Sequence, residues 1–306
     1  MDDPAAADAY DRSEFALLEE TAADIGVPLS APVVSRVDDG NVSALQWGTG
    51  PVELVFLHGG GQNAHTWDSV VLALISAHPD LSALAVDLPG HGHSRWRDDR
   101  DYSPVTNAAT LAPFLQRLAP GAATIIGMSL GGLTAIALEQ HSTPFRRRII
   151  VDVTPTSHER LAQLSREQRG SIALVSGPRT FATITEMLDA TAAASPARSR
   201  TSLRRGILHN AHRDSSGQWT WRYDVLDKAM DFSPLWSVVR DSSIPTLLVR
   251  GGNSPFVTDD DSIQLLRESP SAVVKTVAGA GHSIQSDRPI ELAALIDEFR
   301  VGSAEN

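Results

Sequence analysis

Ser129 lies between two glycines in Gly127-Met128-Ser129-Leu130-Gly131. An apolar strand pattern, Ile125-Ile126, leads into it, and a helical pattern, Leu133 to Gln140, leads out. A serine at such a junction can occupy a sharp turn that lifts its hydroxyl clear of the sheet. Gly127 and Gly131 remove the side chains that would clash there. The Leu130 N–H and the helix N-terminus then face any negative charge that develops nearby. This is the chemistry of nucleophilic attack on a carbonyl, provided that a base takes the hydroxyl proton.

Of the ten histidines, His282 in Gly279-Ala280-Gly281-His282-Ser283 is the candidate base. It follows the last strand pattern in a glycine-rich loop that can bring an imidazole to the sheet edge. His58 opens His58-Gly59-Gly60-Gly61, where bracing the turn suits it better than catalysis. Three consecutive glycines at the end of a buried-type strand let the backbone approach a substrate. The Gly60 N–H can then join the Leu130 N–H as the second donor to an oxyanion. His91 and His93, with Asp98 and Asp99 beyond, lack the tight His-x-His-x-Asp-His run of binuclear metallohydrolases and read as a structured loop. No metal is expected.

With these residues in view, the chain resembles a serine hydrolase of the α/β-hydrolase fold. The resemblance is carried by His58-Gly59-Gly60-Gly61, Asp87-Leu88-Pro89-Gly90-His91-Gly92-His93-Ser94, Gly127 to Gly131 and Gly281-His282, and it spans roughly residues 32–300. It implies Ser129 as nucleophile, His282 as general base and the Gly60 and Leu130 amides as oxyanion donors, with no cofactor. Relatives with an aspartate nucleophile are disfavoured by the serine. The acid is the point of departure. Its commonest place is the turn after the strand Leu247–Arg250, which here reads Gly251-Gly252-Asn253-Ser254-Pro255, with Ser254 at the acid position. Asp152 is the preferred candidate, because the apolar run Ile149-Ile150-Val151 ends in it and orienting His282 would explain that charge. A subgroup of small bacterial cap-bearing esterases is similar in pairing such a turn with an acid after the earlier strand. Asp259, Asp260 and Asp261 are the alternative, and capping the following helix suits them better.

The elements that must position these groups alternate. Apolar strand patterns at Val52–Leu57, Leu84–Val86, Ile125–Ile126, Arg148–Val153, Ile244–Gly251 and Ala272–Val277 are separated by helical patterns such as Trp67–Ala77, Thr106–Leu118, Asp260–Glu268 and Ile290–Arg300. Continuous apolar strands of this kind predict an α/β fold, a mostly parallel sheet flanked by helices. The rhythm breaks over residues 155–231, which predicts an inserted, mainly helical lid between core segments 32–154 and 232–306. Within it, Ser157–Arg169 reads as helix and Gln218–Tyr223 as a short strand. Residues 1–31 read as an N-terminal extension, helical around Ser13 to Ala23 and peripheral to the chemistry. Met128 and Trp221 are candidate substrate contacts. Met187, Leu188, Trp219, Trp221 and Arg222 could line an acyl pocket or form the lid's own core.

Composition narrows the function class. The 306-residue chain is 42% hydrophobic, ample for a real interior, yet no run approaches the roughly 18 apolar residues of a membrane span. A net charge of −11 argues against nucleic acid or an anionic membrane as partner. There is no cysteine, hence no disulfide or thiolate chemistry. With the acidic start Met1-Asp2-Asp3, this predicts a cytoplasmic protein. The expected activity is hydrolysis of small-molecule carboxylic esters. The rival readings are a carbon–carbon bond hydrolase of ring-cleavage diketones and a ligand sensor that has lost turnover. Oligomeric state leaves no signal.

Overall fold

Eight strands, whose apolar residues alternate with the helices that cover them, form the central sheet of the computed structural model, which describes residues 13–28, 32–141, 144–157, 164–165, 177–196, 198–226 and 231–302. They are β1 (Val34–Asp38), β2 (Ser43–Trp47), β3 (Leu54–Leu57), β4 (Ala83–Asp87), β5 (Thr124–Met128), β6 (Arg147–Val151), β10 (Thr246–Gly251) and β11 (Val273–Val277). Their order is β1-β2-β4-β3-β5-β6-β10-β11. The β1–β2 and β2–β4 pairings are antiparallel, and all the others are parallel. Strands β3, β4 and β5 are buried along their whole length, as expected where helices cover both faces.

Each face has its own core. On one side α3 (Pro104–Leu118), α4 (Leu130–Ala137), α7 (Leu235–Asp241) and α8 (Asp259–Glu268) pack Leu111, Phe114, Ile136, Trp236 and Leu265 against the sheet. On the other, α1 (Leu18–Asp24), α2 (Asp68–Ala77) and α9 (Pro289–Val301) contribute Leu18, Val71, Leu74 and Ile296. Each wholly buried Leu, Ile or Phe contributes about 1.5–3 kcal/mol of transfer free energy. Local signals set the helix starts. Ser103 accepts from the Thr106 N–H ahead of Pro104, and Thr258 and Asp261 form a reciprocal capping box at α8.

Between β6 and α7 the chain leaves the sheet. Residues 180–221 form α5 (Ile184–Ala194), α6 (Arg200–Asn210) and an antiparallel sheet of β7 (Thr180–Phe181), β9 (Trp219–Trp221) and β8 (Ala211–Arg213). This unit has a small core of Phe181, Met187, Ile207, Ala211, Trp221 and Tyr223, with Leu188 and Trp219 packed on it. Most of the helix expected over 157–169 lies outside the described residues. The unit docks on the core through backbone bonds, Gly92 N–H to Arg222 O at 2.7 Å and Asp224 N–H to Gly90 O at 2.8 Å. Arg205 of α6 reaches Glu20 and Asp24 of α1 at 3.0 and 2.5 Å. Helix α1 is thus integral to the assembly. Its Thr21 and Asp24, with Ile25 just beyond, line the central cavity.

Candidate active site

The turn from β5 into α4 holds Ser129 at φ +51° and ψ −119°, a conformation that costs a non-glycine residue about 1–3 kcal/mol. The turn closes only because glycines flank it. A Cβ on Gly127 would come within 2.6 Å of the Gly132 nitrogen, and one on Gly131 within 2.6 Å of the His58 carbonyl oxygen. Ser129 N–H is anchored to Val151 O at 3.1 Å, which ties the turn to the end of β6.

Asp152 follows β6 directly, also at positive φ (+52°), and is fully buried. Its Oδ1 accepts from Gly251 N–H at 2.9 Å. Its Oδ2 accepts from His282 Nδ1 at 2.7 Å and from the Ser254 hydroxyl. The imidazole stacks on Phe256, with centroids 3.9 Å apart. With Nδ1 donating to the carboxylate, Nε2 is left as the basic nitrogen; it has no hydrogen-bond partner among the described residues. No hydrogen bond joins it to Ser129 here, and such bonds commonly tighten only with substrate. Asp259 pairs with Arg250, and Asp261 caps α8.

The glycine loop is held from several directions. Gly59 N–H donates to Gln62 Oε1 at 3.0 Å, and Gly61 N–H donates to His91 Nε2 at 3.1 Å. Asn210 at the end of α6 donates to Gly61 O at 2.7 Å. Gly60 N–H has no hydrogen-bond partner among the described residues, and Gly60 lines the cavity. His58 braces the loop, accepting from Leu88 N–H at 2.9 Å. Asp87 gathers Ala64 N–H, His93 N–H and Arg36. Burial pushes the Asp87 carboxyl up, but these bonds and the Arg36 charge hold it well below the usual carboxylate range. His65 behaves in the opposite way: burial pulls its imidazolium down, yet Asp68 and Glu14 outweigh that and raise it to about 9.

Ser129, Leu130, Gly60 and His282 all line one cavity of about 780 Å³. Met128 is buried beneath it, and Trp221 faces it from β9 while also packing in the small core. Met187 and Leu188 belong to that core and are not on the cavity wall. Gln62 and Asn210 left no signal in the sequence, and the Ser254 hydroxyl was marked only by standing in the usual acid position.

The profile of the alpha/beta hydrolase family matches residues 54–295. The chain is 50% identical over 285 residues to Esterase Rv0045c of Mycobacterium tuberculosis, covering 92% of this chain and 94% of that protein. It is 26% identical over 277 residues to the sn-1-specific diacylglycerol lipase ABHD11 of Mus musculus, with 80% of each chain covered. A solved structure of the M. tuberculosis esterase, from work on its inhibition by transition metals, superimposes with a TM-score of 0.85 at 49% identity, covering 94% of this chain and 98% of that one.

Proposed function

This chain belongs to the alpha/beta hydrolase family, and on that footing we propose that it is a serine esterase working through an acyl-enzyme on Ser129. His282 Nε2 takes the Ser129 proton as the hydroxyl attacks the ester carbonyl. The Gly60 and Leu130 amides hold the tetrahedral oxyanion; each donor of this kind is worth about 10²–10³ in turnover. Asp152 keeps Nδ1 protonated and stabilises the imidazolium, which then protonates the leaving alcohol. Water, deprotonated by the same imidazole, releases the acid. The observation that carries this reading is the Asp152–His282 bond at 2.7 Å, which leaves a basic Nε2 on the cavity shared with a strained serine turn.

Residues 155–231 serve as the cap in this reading. Leu133, Val153 and Phe232 of the core with Leu226 of the cap offer an apolar wall for an acyl chain, while Gln62 and Asn63 of the core with Asn210 of the cap offer a polar one. A cavity of about 780 Å³ suits an ester of drug-like size. The substrate is a small molecule, because a net charge of −11 disfavours polyanionic partners. No described helix is long and apolar enough to cross a membrane. A cytoplasmic setting suits a chain without cysteine.

The test is a panel of p-nitrophenyl esters of increasing acyl length, run with fluorophosphonate labelling on the parent and on Ser129→Ala. Parent turnover and labelling, both abolished in the variant at an unchanged melting temperature, are the expected result. Ester turnover by Ser129→Ala near the parent rate would remove Ser129 from the mechanism.

A further inference from the structure

Three buried side chains on the wall of the same cavity take no part in acyl transfer. His65 lies in the short helical turn Ala64–Trp67, Asp68 opens α2, and His209 stands near the end of α6. Asp68 Oδ2 is 2.9 Å from His65 Nδ1 and 4.0 Å from His209 Nε2. One ligand atom from each side chain lies within 4.8 Å of the others. Donor atoms about 2.0–2.1 Å from a tetrahedral zinc ion sit roughly 3.3 Å apart, and the two observed spacings bracket that value. His65 Nε2 faces Glu14 Oε2 at 3.4 Å. An outer carboxylate in this position fixes the tautomer and orientation of a metal-bound imidazole. Asp68 Oδ1 is buried without a hydrogen-bond partner among the described residues, which leaves a second oxygen for an ion.

We propose that His65 Nδ1, the Asp68 carboxylate and His209 Nε2 bind a divalent transition-metal ion. Two imidazoles, one carboxylate and a fourth position open to the cavity suit Zn²⁺, Co²⁺ or Ni²⁺ rather than Mg²⁺ or Ca²⁺, which take mostly oxygen ligands. The two rings stack at 3.7 Å with 15° between their planes, so their in-plane lone pairs do not yet converge. Binding turns the rings out of this stack and releases the proton between His65 and Asp68 to solvent. Because His65 and Asp68 come from the core and His209 from α6, the ion would staple residues 180–221 to the sheet domain beside Ser129.

Zinc-edge anomalous diffraction from crystals of the full chain with one equivalent of Zn²⁺ tests this, together with calorimetric titration of Zn²⁺ alone. The expected result is one ion per chain, with a peak about 2 Å from the three ligand atoms. His209→Gln should weaken binding at least tenfold, and Glu14→Gln should weaken it by about tenfold to a hundredfold. No peak at the cluster, or peaks only at His282 or at a histidine outside the cavity such as His78, overturns the assignment. So does binding of parent strength by His209→Gln in protein whose circular dichroism matches the parent. The diffraction uses unaltered protein, so a variant that fails to fold cannot mask the answer. Neither measurement reads ester turnover, so the site stands or falls independently of the esterase reading.

Discussion

Acid should unfold this protein through two histidines that never touch substrate. His58 and His91 are wholly buried, and their Nε2 atoms accept backbone N–H bonds from Leu88 and Gly61 at 2.9 and 3.1 Å. A proton on either nitrogen would set donor against donor. Burial is the largest cause of each depression, from 6.5 to about 4 for His58 and to about 3 for His91. Below 6.5 the unfolded chain therefore takes up protons that the folded protein refuses. The stability these groups contribute is intact above their unfolded pKa and is lost as the pH falls toward the folded values. Between about pH 7 and about pH 5 each forfeits about 2 kcal/mol, a large share of a typical total of about 5–15 kcal/mol. His209, buried and depressed as well, acts in the same direction. Urea unfolding of the parent and of His91→Gln at the two pH values isolates one proton. The parent should lose about 2 kcal/mol more than the variant across that interval. Equal losses would refute the claim that His91 is held neutral as an acceptor for the glycine loop.

Other substitutions probe the turn and the cavity. Gly131→Ala places a Cβ against the carbonyls of Leu57 and His58, so it should cost about 1–3 kcal/mol and cut turnover by about 10² as the Ser129 turn and the glycine loop are forced apart. Unchanged melting and kcat would show that no close approach is needed there. Trp221→Ala removes a ring that is 4% exposed from between the small core and the cavity, at a local cost of about 3–5 kcal/mol. It should raise kcat/KM for long acyl p-nitrophenyl esters relative to short ones, and an unaltered ratio would take Trp221 off the acyl path.

The α/β alternation was legible because buried parallel strands and amphipathic helices write different periods into the chain. Strands β3 to β6 and β10 fall within a few residues of where those periods put them. Asp152 stood out as a charge closing an apolar run, and in the fold it lies buried against His282, 130 residues away. The Ser254 hydroxyl, which donates to the same Asp152 oxygen, is 102 residues away and could be suspected only from its place in the turn. Asn210 and Gln62 left no signal, since a lone amide carries no periodicity and its partner is set by how residues 180–221 dock on the sheet domain. The docking of α1 left no signal for the same reason. Its ion pairs with Arg205 join residues more than 180 positions apart, and nothing local announces them. The sheet of β7, β8 and β9 has strands of only two or three residues, too short for alternation to show.

In the proposed mechanism the acid acting on His282 comes from the end of β6 and not from the turn after β10. The measurement that tests it most directly is the ester turnover of Asp152→Asn beside that of Asn substitutions at Asp259, Asp260 and Asp261. A neutral amide neither stabilises the imidazolium nor enforces the Nδ1–H tautomer, so Asp152→Asn should lower kcat by about 10⁴. The three later variants should keep near-parent kcat, with a stability loss of up to about 2 kcal/mol for Asp261, which caps α8. Near-parent turnover by Asp152→Asn, with one of the later aspartates proving essential, would contradict the account.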